Sequence, residues 1–243
     1  MALEILTFET GPFETNSFVV RCGEASWLID PGMDPRELVD WLVDEKVALG
    51  AILLTHGHCD HIAGIADVHR AIGKTPVWCP ADDAWMLSDP AGNLSGAFGL
   101  PMTAPPPDRL LRPGETLTLG IGIRGTDTIL GSPLGLAGNG IPRRPQYGIC
   151  PPNSVPLIQV LDTSGHTPGG VSFYCREEGV VFTGDSLFCR GIGRTDFPGG
   201  DSDRLLDNIR RHLYSLPGET RVYPGHGPAT TIADEMEFRG QIP

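Results

Sequence analysis

The stretch Thr55-His56-Gly57-His58-Cys59-Asp60-His61 places three imidazoles and a carboxylate within six consecutive positions, His56 to His61. Neutral imidazole and ionised carboxylate are the ligands a divalent ion such as zinc takes. The spacing is too dense for one tetrahedral site with every ligand facing the same ion. It suits two neighbouring ions, with His56 and His58 serving one and Asp60 and His61 the other. Two ions about 3.5–4 Å apart can share one water and lower its pKa to about 7. That supplies hydroxide at neutral pH without a catalytic serine, and the chain contains no G-x-S-x-G nucleophile elbow.

Such a cluster needs elements that aim it. The apolar run Ala51-Ile52-Leu53-Leu54 reads as a short buried strand ending at the cluster. Gly57 is the turn and Ile62-Ala63-Gly64-Ile65 the start of a helix. The same pattern, a polar residue in a glycine-rich turn beyond an apolar strand, recurs at His166, Asp185 and His226. Glycine lets the backbone turn sharply there, so side chains from different strands can meet at one edge. Five of the seven histidines fall in these turns, while His69 and His212 fall on predicted helices and read as surface groups. Asp30-Pro31-Gly32 places another carboxylate at a strand end.

The remaining elements follow from periodicity and punctuation. Ser17–Cys22 and Ser26–Asp30 form a hairpin split by Gly23-Glu24. A helix opens at Asp34-Pro35, with Asp34 as its cap, and fades near Gly50. Another helix runs from about Asp60 to Ala71. Thr75–Cys79 is a strand, Pro80–Leu87 a short helix, and residues 88–107 a long loop. Phe98 in that loop is either an anchoring hydrophobe or the lining of a substrate pocket. Glu115–Leu119, Leu157–Leu161, Val171–Cys175 and Val180–Thr183 are strands. Asp201–Tyr214 is an amphipathic helix with Leu205, Ile209 and Leu213 in register. Arg221–Tyr223 is the last strand. Each half has strands first and helices after, which suggests two sheets packed face to face with helices outside. Residues 120–156 are rich in glycine and proline and read as an insertion, either a flap beside the site or a surface loop.

Bulk properties exclude several classes. The 243 residues carry a net charge of −12 with no Lys/Arg run, which speaks against a nucleic-acid surface. No apolar stretch reaches the ~18 residues of a membrane span. The N-terminus lacks a signal-peptide pattern, and the six cysteines are scattered without a C-x-x-C pair. Free thiols in the reducing cytoplasm are the expectation. Cys59 reads as a packing residue, and Arg194 with Asp196 either as an ion pair pinning a loop or as a substrate contact. The sequence does not define an oligomeric state.

In order, T-H-G-H-C-D-H, S-G-H-T-P-G, F-T-G-D-S-L-F and Y-P-G-H-G resemble the motifs of the metallo-β-lactamase-fold superfamily. The run Gly191 to Gly200 is similar to that of small glyoxalase II-like (hydroxyacylglutathione hydrolase-like) enzymes, and also to that of persulfide dioxygenases. The resemblance implies an α+β fold, a four-layer αββα sandwich of two facing mixed sheets with helices outside, as one domain over residues 1–243. It implies that His56, His58 and His166 hold one ion, that Asp60, His61 and His226 hold a second, and that Asp185 bridges both. Asp30 would support a ligand histidine from behind. The implied cofactors are two divalent ions, zinc first, with iron or manganese as alternatives. The implied activity is hydrolysis of a small-molecule thioester by a metal-bridging hydroxide, with Asp60 orienting it as catalytic residue. The alternatives are a mononuclear iron dioxygenase using His56, His166 and Asp185, and a lactone or β-lactam hydrolase. The C-terminal helical domain that grips glutathione in full-length glyoxalase II is not expected here, given how few residues follow His226, so a smaller or different thioester is expected.

Overall fold

The structure, a computed structural model, describes residues 3–119 and 156–240. The expected insertion at 120–156 therefore lies outside the described residues, apart from Pro156. The first sheet runs in chain order through β1 (Glu4–Thr10), β2 (Thr15–Cys22), β3 (Ala25–Ile29), β4 (Ala51–Leu53), β5 (Val77–Pro80) and β6 (Arg109–Leu111). The later strands are β7 (Thr116–Thr118), β8 (Leu157–Asp162), β9 (Val171–Cys175), β10 (Val180–Gly184), β11 (Leu187–Phe188), β12 (Gly191–Ile192), β13 (Arg221–Pro224) and β14 (Thr230–Thr231). Of these, β11 and β12 pair as a separate ribbon, and the others form the second sheet in the order β14-β13-β10-β9-β8-β7.

Three apolar layers explain the architecture. Alternate residues of each strand point to opposite faces. Phe18, Val20, Trp27, Ile29, Ala51 and Leu53 meet Ile158, Val160, Phe173 and Phe182 between the sheets. The intervening Val19, Leu28 and Ile52 face the other way. There they pack on Leu38 and Leu42 of α1 (Arg36–Asp44), Ile62 of α2 (Cys59–Ile62), and Ile65 and Val68 of α3 (Ile65–Ile72). On the far side of the second sheet, Tyr174, Val181 and Val222 pack on Leu205 of α4 (Ser202–Asn208) and on Ile209 and Leu213 of the π-helical turn that follows. Helix, sheet, sheet and helix are thus stacked, the expected αββα sandwich. Both faces of each sheet are covered, which is why the strands read as continuous apolar runs.

Several expected elements are adjusted. Asp34 does not cap α1. Its backbone is left-handed (φ 48°), Pro35 takes the cap position, and its carboxylate accepts a hydrogen bond from Arg36 Nε at 2.8 Å. Helix α1 ends at Asp44, well before Gly50. The helix expected over 60–71 is two helices, broken at Ala63-Gly64. There the Gly64 N–H donates to Pro31 O at 3.0 Å, docking the histidine-bearing segment against the Asp30-Pro31-Gly32 turn. The short helix after β5 is a 3-10 segment, Ala81–Ser88. Arg221–Pro224 is not the last element, because β14 and α5 (Ile232–Gly240) follow. Among the described residues no helix is long and apolar enough to cross a membrane.

Candidate metal centre

Strand direction brings the site together. β3 and β4 are parallel, as are β10 and β13, and β8 and β10 both run antiparallel to β9. Within each sheet the carboxyl ends of these strands therefore point the same way. Asp30 follows β3, His56 and His58 follow β4, His166 follows β8, Asp185 follows β10, and His226 follows β13. Backbone bonds stitch the two sheets at this edge. Val171 N–H donates to Thr55 O at 2.9 Å, and Asn16 N–H donates to Gly225 O at 2.7 Å. Asn16 Nδ2 also donates to Pro224 O (3.0 Å) and Gly227 O (2.8 Å), fixing the His226 turn.

At the edge, donor atoms of His56, His58 and His166 lie within 4.8 Å of one another, and so do those of Asp60, His61 and His226. Asp185 lies between the groups. Its Oδ1 is 3.3 Å from His61 Nε2, and its Oδ2 is 3.6 Å from His166 Nε2 and 3.5 Å from His226 Nε2. Within the groups, His58 Nδ1 and His166 Nε2 are 2.9 Å apart, and His61 Nε2 and His226 Nε2 are 3.4 Å apart. A Cβ at Gly225 would collide with the Asp185 carboxylate and stand 2.7 Å from the His61 ring. That position must be glycine for the two to approach.

The outward nitrogens of four of the five rings are held. His61 Nδ1 is 3.1 Å from Asp30 Oδ2, His166 Nδ1 is 2.6 Å from Arg194 O, and His226 Nδ1 is 2.9 Å from Phe13 O. His56 Nδ1 is 3.0 Å from Thr55 Oγ1. Such partners fix a ring's tautomer and aim its other nitrogen. A third close group, Asp30 with His56 and His61, is of a different kind. Asp30 is buried and already accepts from Thr55 N (2.7 Å), Thr55 Oγ1 (2.6 Å) and the outward nitrogen of His61. It anchors the turn from behind, at a left-handed φ of 49° that few non-glycine residues adopt.

The donor set fits a divalent cation. His56 Nε2 and Asp185 Oδ1 are buried with no hydrogen-bond partner, although buried polar atoms are normally satisfied. The two halves also differ electrically. Burial, with His61 and His58 nearby, holds His56 well below the usual imidazole range. Burial and His166 bring His58 down to about 3. Burial opposes charge on His61 as well, but Asp60 and Asp185 raise it well above the usual value. Burial is likewise overcome at His226, where Asp185 and Asp60 raise the ring to about 10. Both carboxylates are held low against burial, chiefly by His61. A cation would replace the protons that now balance Asp60 and Asp185.

Three contributors carry no clear sequence signal. Asp83 is buried on the 3-10 segment and accepts from Gly57 N (3.1 Å), Thr167 Oγ1 (2.7 Å) and Gly169 N (2.6 Å). Burial pushes its carboxyl up against the pull of these donors. Thr15 Oγ1 donates to Asp60 Oδ2 at 3.4 Å. Asn16 is the third, and the only hint is that three buried polar residues, Thr15-Asn16-Ser17, open a strand that is otherwise largely apolar. The Arg194–Asp196 ion pair is present, exposed, with contacts of 2.9 and 2.7 Å. Cys59 is buried, its N–H donating to Asn93 O at 2.9 Å, and burial raises its thiol to about 11. Cys59, Cys79, Cys175 and Cys189 are free thiols.

Two facing sheets with five imidazoles and two carboxylates gathered at one edge define the scaffold of a metallo-hydrolase. The model of the metallo-beta-lactamase superfamily matches residues 10–226. The chain belongs to that superfamily. A probable metallo-hydrolase of Streptococcus pyogenes is 36% identical over 220 residues, covering 90% of this chain and 82% of that protein. The hydroxyacylglutathione hydrolase GloC of Haemophilus influenzae is 32% identical over 210 residues, covering 86% and 82%. The crystal structure of the BLEG-1 B3 metallo-beta-lactamase superposes with a TM-score of 0.78 at 34% identity, covering 96% of this chain and 97% of that one.

Proposed function

We propose that this chain is a binuclear metal-dependent thioester hydrolase. The observation that carries the reading is the position of Asp185, with one oxygen against His61 and the other against His166 and His226. In this reading His56, His58 and His166 hold one ion, Asp60, His61 and His226 hold the other, and Asp185 serves both. When bound, the ions supply an activated water and polarise the acyl carbonyl. The donors suit zinc, iron and manganese, with zinc the first choice for so many imidazoles.

The chain's own residues do the rest. Asp60 Oδ2, 3.2 Å from His226 Nε2 and reached by Thr15 Oγ1, orients the attacking water. Asp30, Arg194 O and Phe13 O keep three rings aimed inward. A thiolate leaves without a strong proton donor, which suits a site whose inward groups are acceptors. The likeness to GloC supports a thioester. The likeness to BLEG-1 favours a second reading, hydrolysis of a β-lactam amide at the same centre. Metal analysis of the purified protein, paired with assays on S-lactoylglutathione and a β-lactam, tests both. The expected result is two ions per chain and chelator-sensitive thioester turnover exceeding lactam turnover. An Asp60→Ala protein with full metal content and full thioester rate would end this account.

A further inference from the structure

Beside the metal centre lies an open groove of about 580 Å³, formed by one loop around residues 90–98 and another at 197–198. Its walls are Pro90, Leu94, Ala97, Phe98, Phe197 and Pro198, with Ala91 and Gly96 completing them. None of these side chains is polar. Phe197 joins the groove to the site, since its ring packs edge-on against His58 at 5.7 Å and against His166 at 6.3 Å between centroids. On the other side Phe98 packs on Phe13 at 5.0 Å, and Phe13 O holds His226. The groove therefore runs alongside both halves of the centre.

The loop is built to hold this surface open. Asn93 Nδ2 donates to Met86 O (3.0 Å) and Met102 O (3.1 Å), and Asn93 O accepts from Cys59 N between the site residues. Leu94 sits at φ 69°, a conformation that branched aliphatic residues rarely adopt. Phe98 is left 49% exposed. Backbone outliers and uncovered aromatic surface beside a reactive centre are features of ligand sites.

Resting on the thioester reading above, we infer that the groove binds the acyl half of the substrate and that this half is an uncharged, apolar chain. A charged thiol carrier finds no charged partner among the described residues that line the groove. Among the described residues, Arg194 beside the groove is stacked on Phe197 at 4.4 Å and committed to Asp196 through two contacts. The net charge of −12 further disfavours a polyanionic carrier in an acyl groove.

The test uses the metal-loaded protein and acyl thioesters of one small neutral thiol, N-acetylcysteamine, from acetyl to hexanoyl. Each buried methylene should raise kcat/KM about fourfold, on the order of 200-fold across the series. Phe98→Ala and Ala97→Glu should flatten that slope. Octanoate should compete for binding more tightly than acetate, and the same variants should shrink the difference. A flat or falling series with ready turnover of acetyl thioester overturns the acyl groove and leaves thioester hydrolysis standing. No turnover of any thioester by protein of full metal content overturns both.

Discussion

Asp30 and Asp83 are both buried carboxylates that accept three hydrogen bonds beside the histidine-rich turn, but they join different things. Asp30 takes Thr55 N, Thr55 Oγ1 and His61 Nδ1, all from the segment that follows the neighbouring strand of its own sheet. Asp83 takes Gly57 N from that segment, and Thr167 Oγ1 and Gly169 N from the loop carrying His166 in the other sheet. Asp30 touches a site ring directly. Asp83 touches none of those rings and sets the backbones from which His56, His58 and His166 project. One carboxylate tunes an imidazole, and the other sets the separation of two halves.

Removing Asp83 should have the largest effect. Asp83→Ala leaves two buried donors, Gly57 N and Thr167 Oγ1, and the half-buried Gly169 N unpaired, at about 1–3 kcal/mol for each that water cannot reach. Denaturant unfolding should show a loss of several kcal/mol, and metal bound on the His58/His166 side should fall with it. If Asp83→Ala matches the parent in both measurements, the contrast drawn above is wrong. Asp30→Ala also leaves Thr55 N and Thr55 Oγ1 unpaired and should cost stability too, but its distinguishing effect should run through His61, with metal affinity down about 10–100-fold. Titration against a competing chelator reads that change, and equal loss of both ions would show that Asp30 also acts across the sheets.

A smaller effect separates the halves electrically. His226 is raised to about 10 in the metal-free protein. A raised value means the folded state binds the extra proton, so its stabilisation is full below about 6.5, the ordinary imidazole value, and is lost as pH climbs through about 10. The unfolding temperature of chelator-treated protein should therefore drop between pH 7 and 10. His226→Ala should reduce that slope, with raised His61 keeping the rest, and metal-loaded protein should lack it. The smallest effect belongs to Arg194→Ala. Its ion pair with Asp196 is exposed, and the group His166 uses is the backbone carbonyl, which the substitution keeps. Unfolding temperature and metal content should match the parent within error.

The same pair shows what a sequence can disclose. Asp30 is legible because Asp-Pro-Gly directly after an apolar run marks a carboxylate at a strand end. Asp83 is not, because Ala81-Asp82-Asp83 reads like acidic residues opening an ordinary exposed helix. Only the packing of the 3-10 segment against Gly57 and Gly169 turns it inward. The sandwich was legible because covered sheets demand apolar residues on both faces, and three such layers are present. The break at Gly64 and the added β14 and α5 depended on long-range contacts, such as Gly64 N–H to Pro31 O, that no local pattern encodes.

The backbone stitches from Val171 to Thr55 and from Asn16 to Gly225 carry a consequence for assembly. On the proposed ligand assignment, each ion draws on groups from both sheets, so neither sheet can capture one alone. Metal uptake then marks the final stage of folding, and chelator present during refolding should leave earlier collapse unchanged while halting the chain one step short of completion.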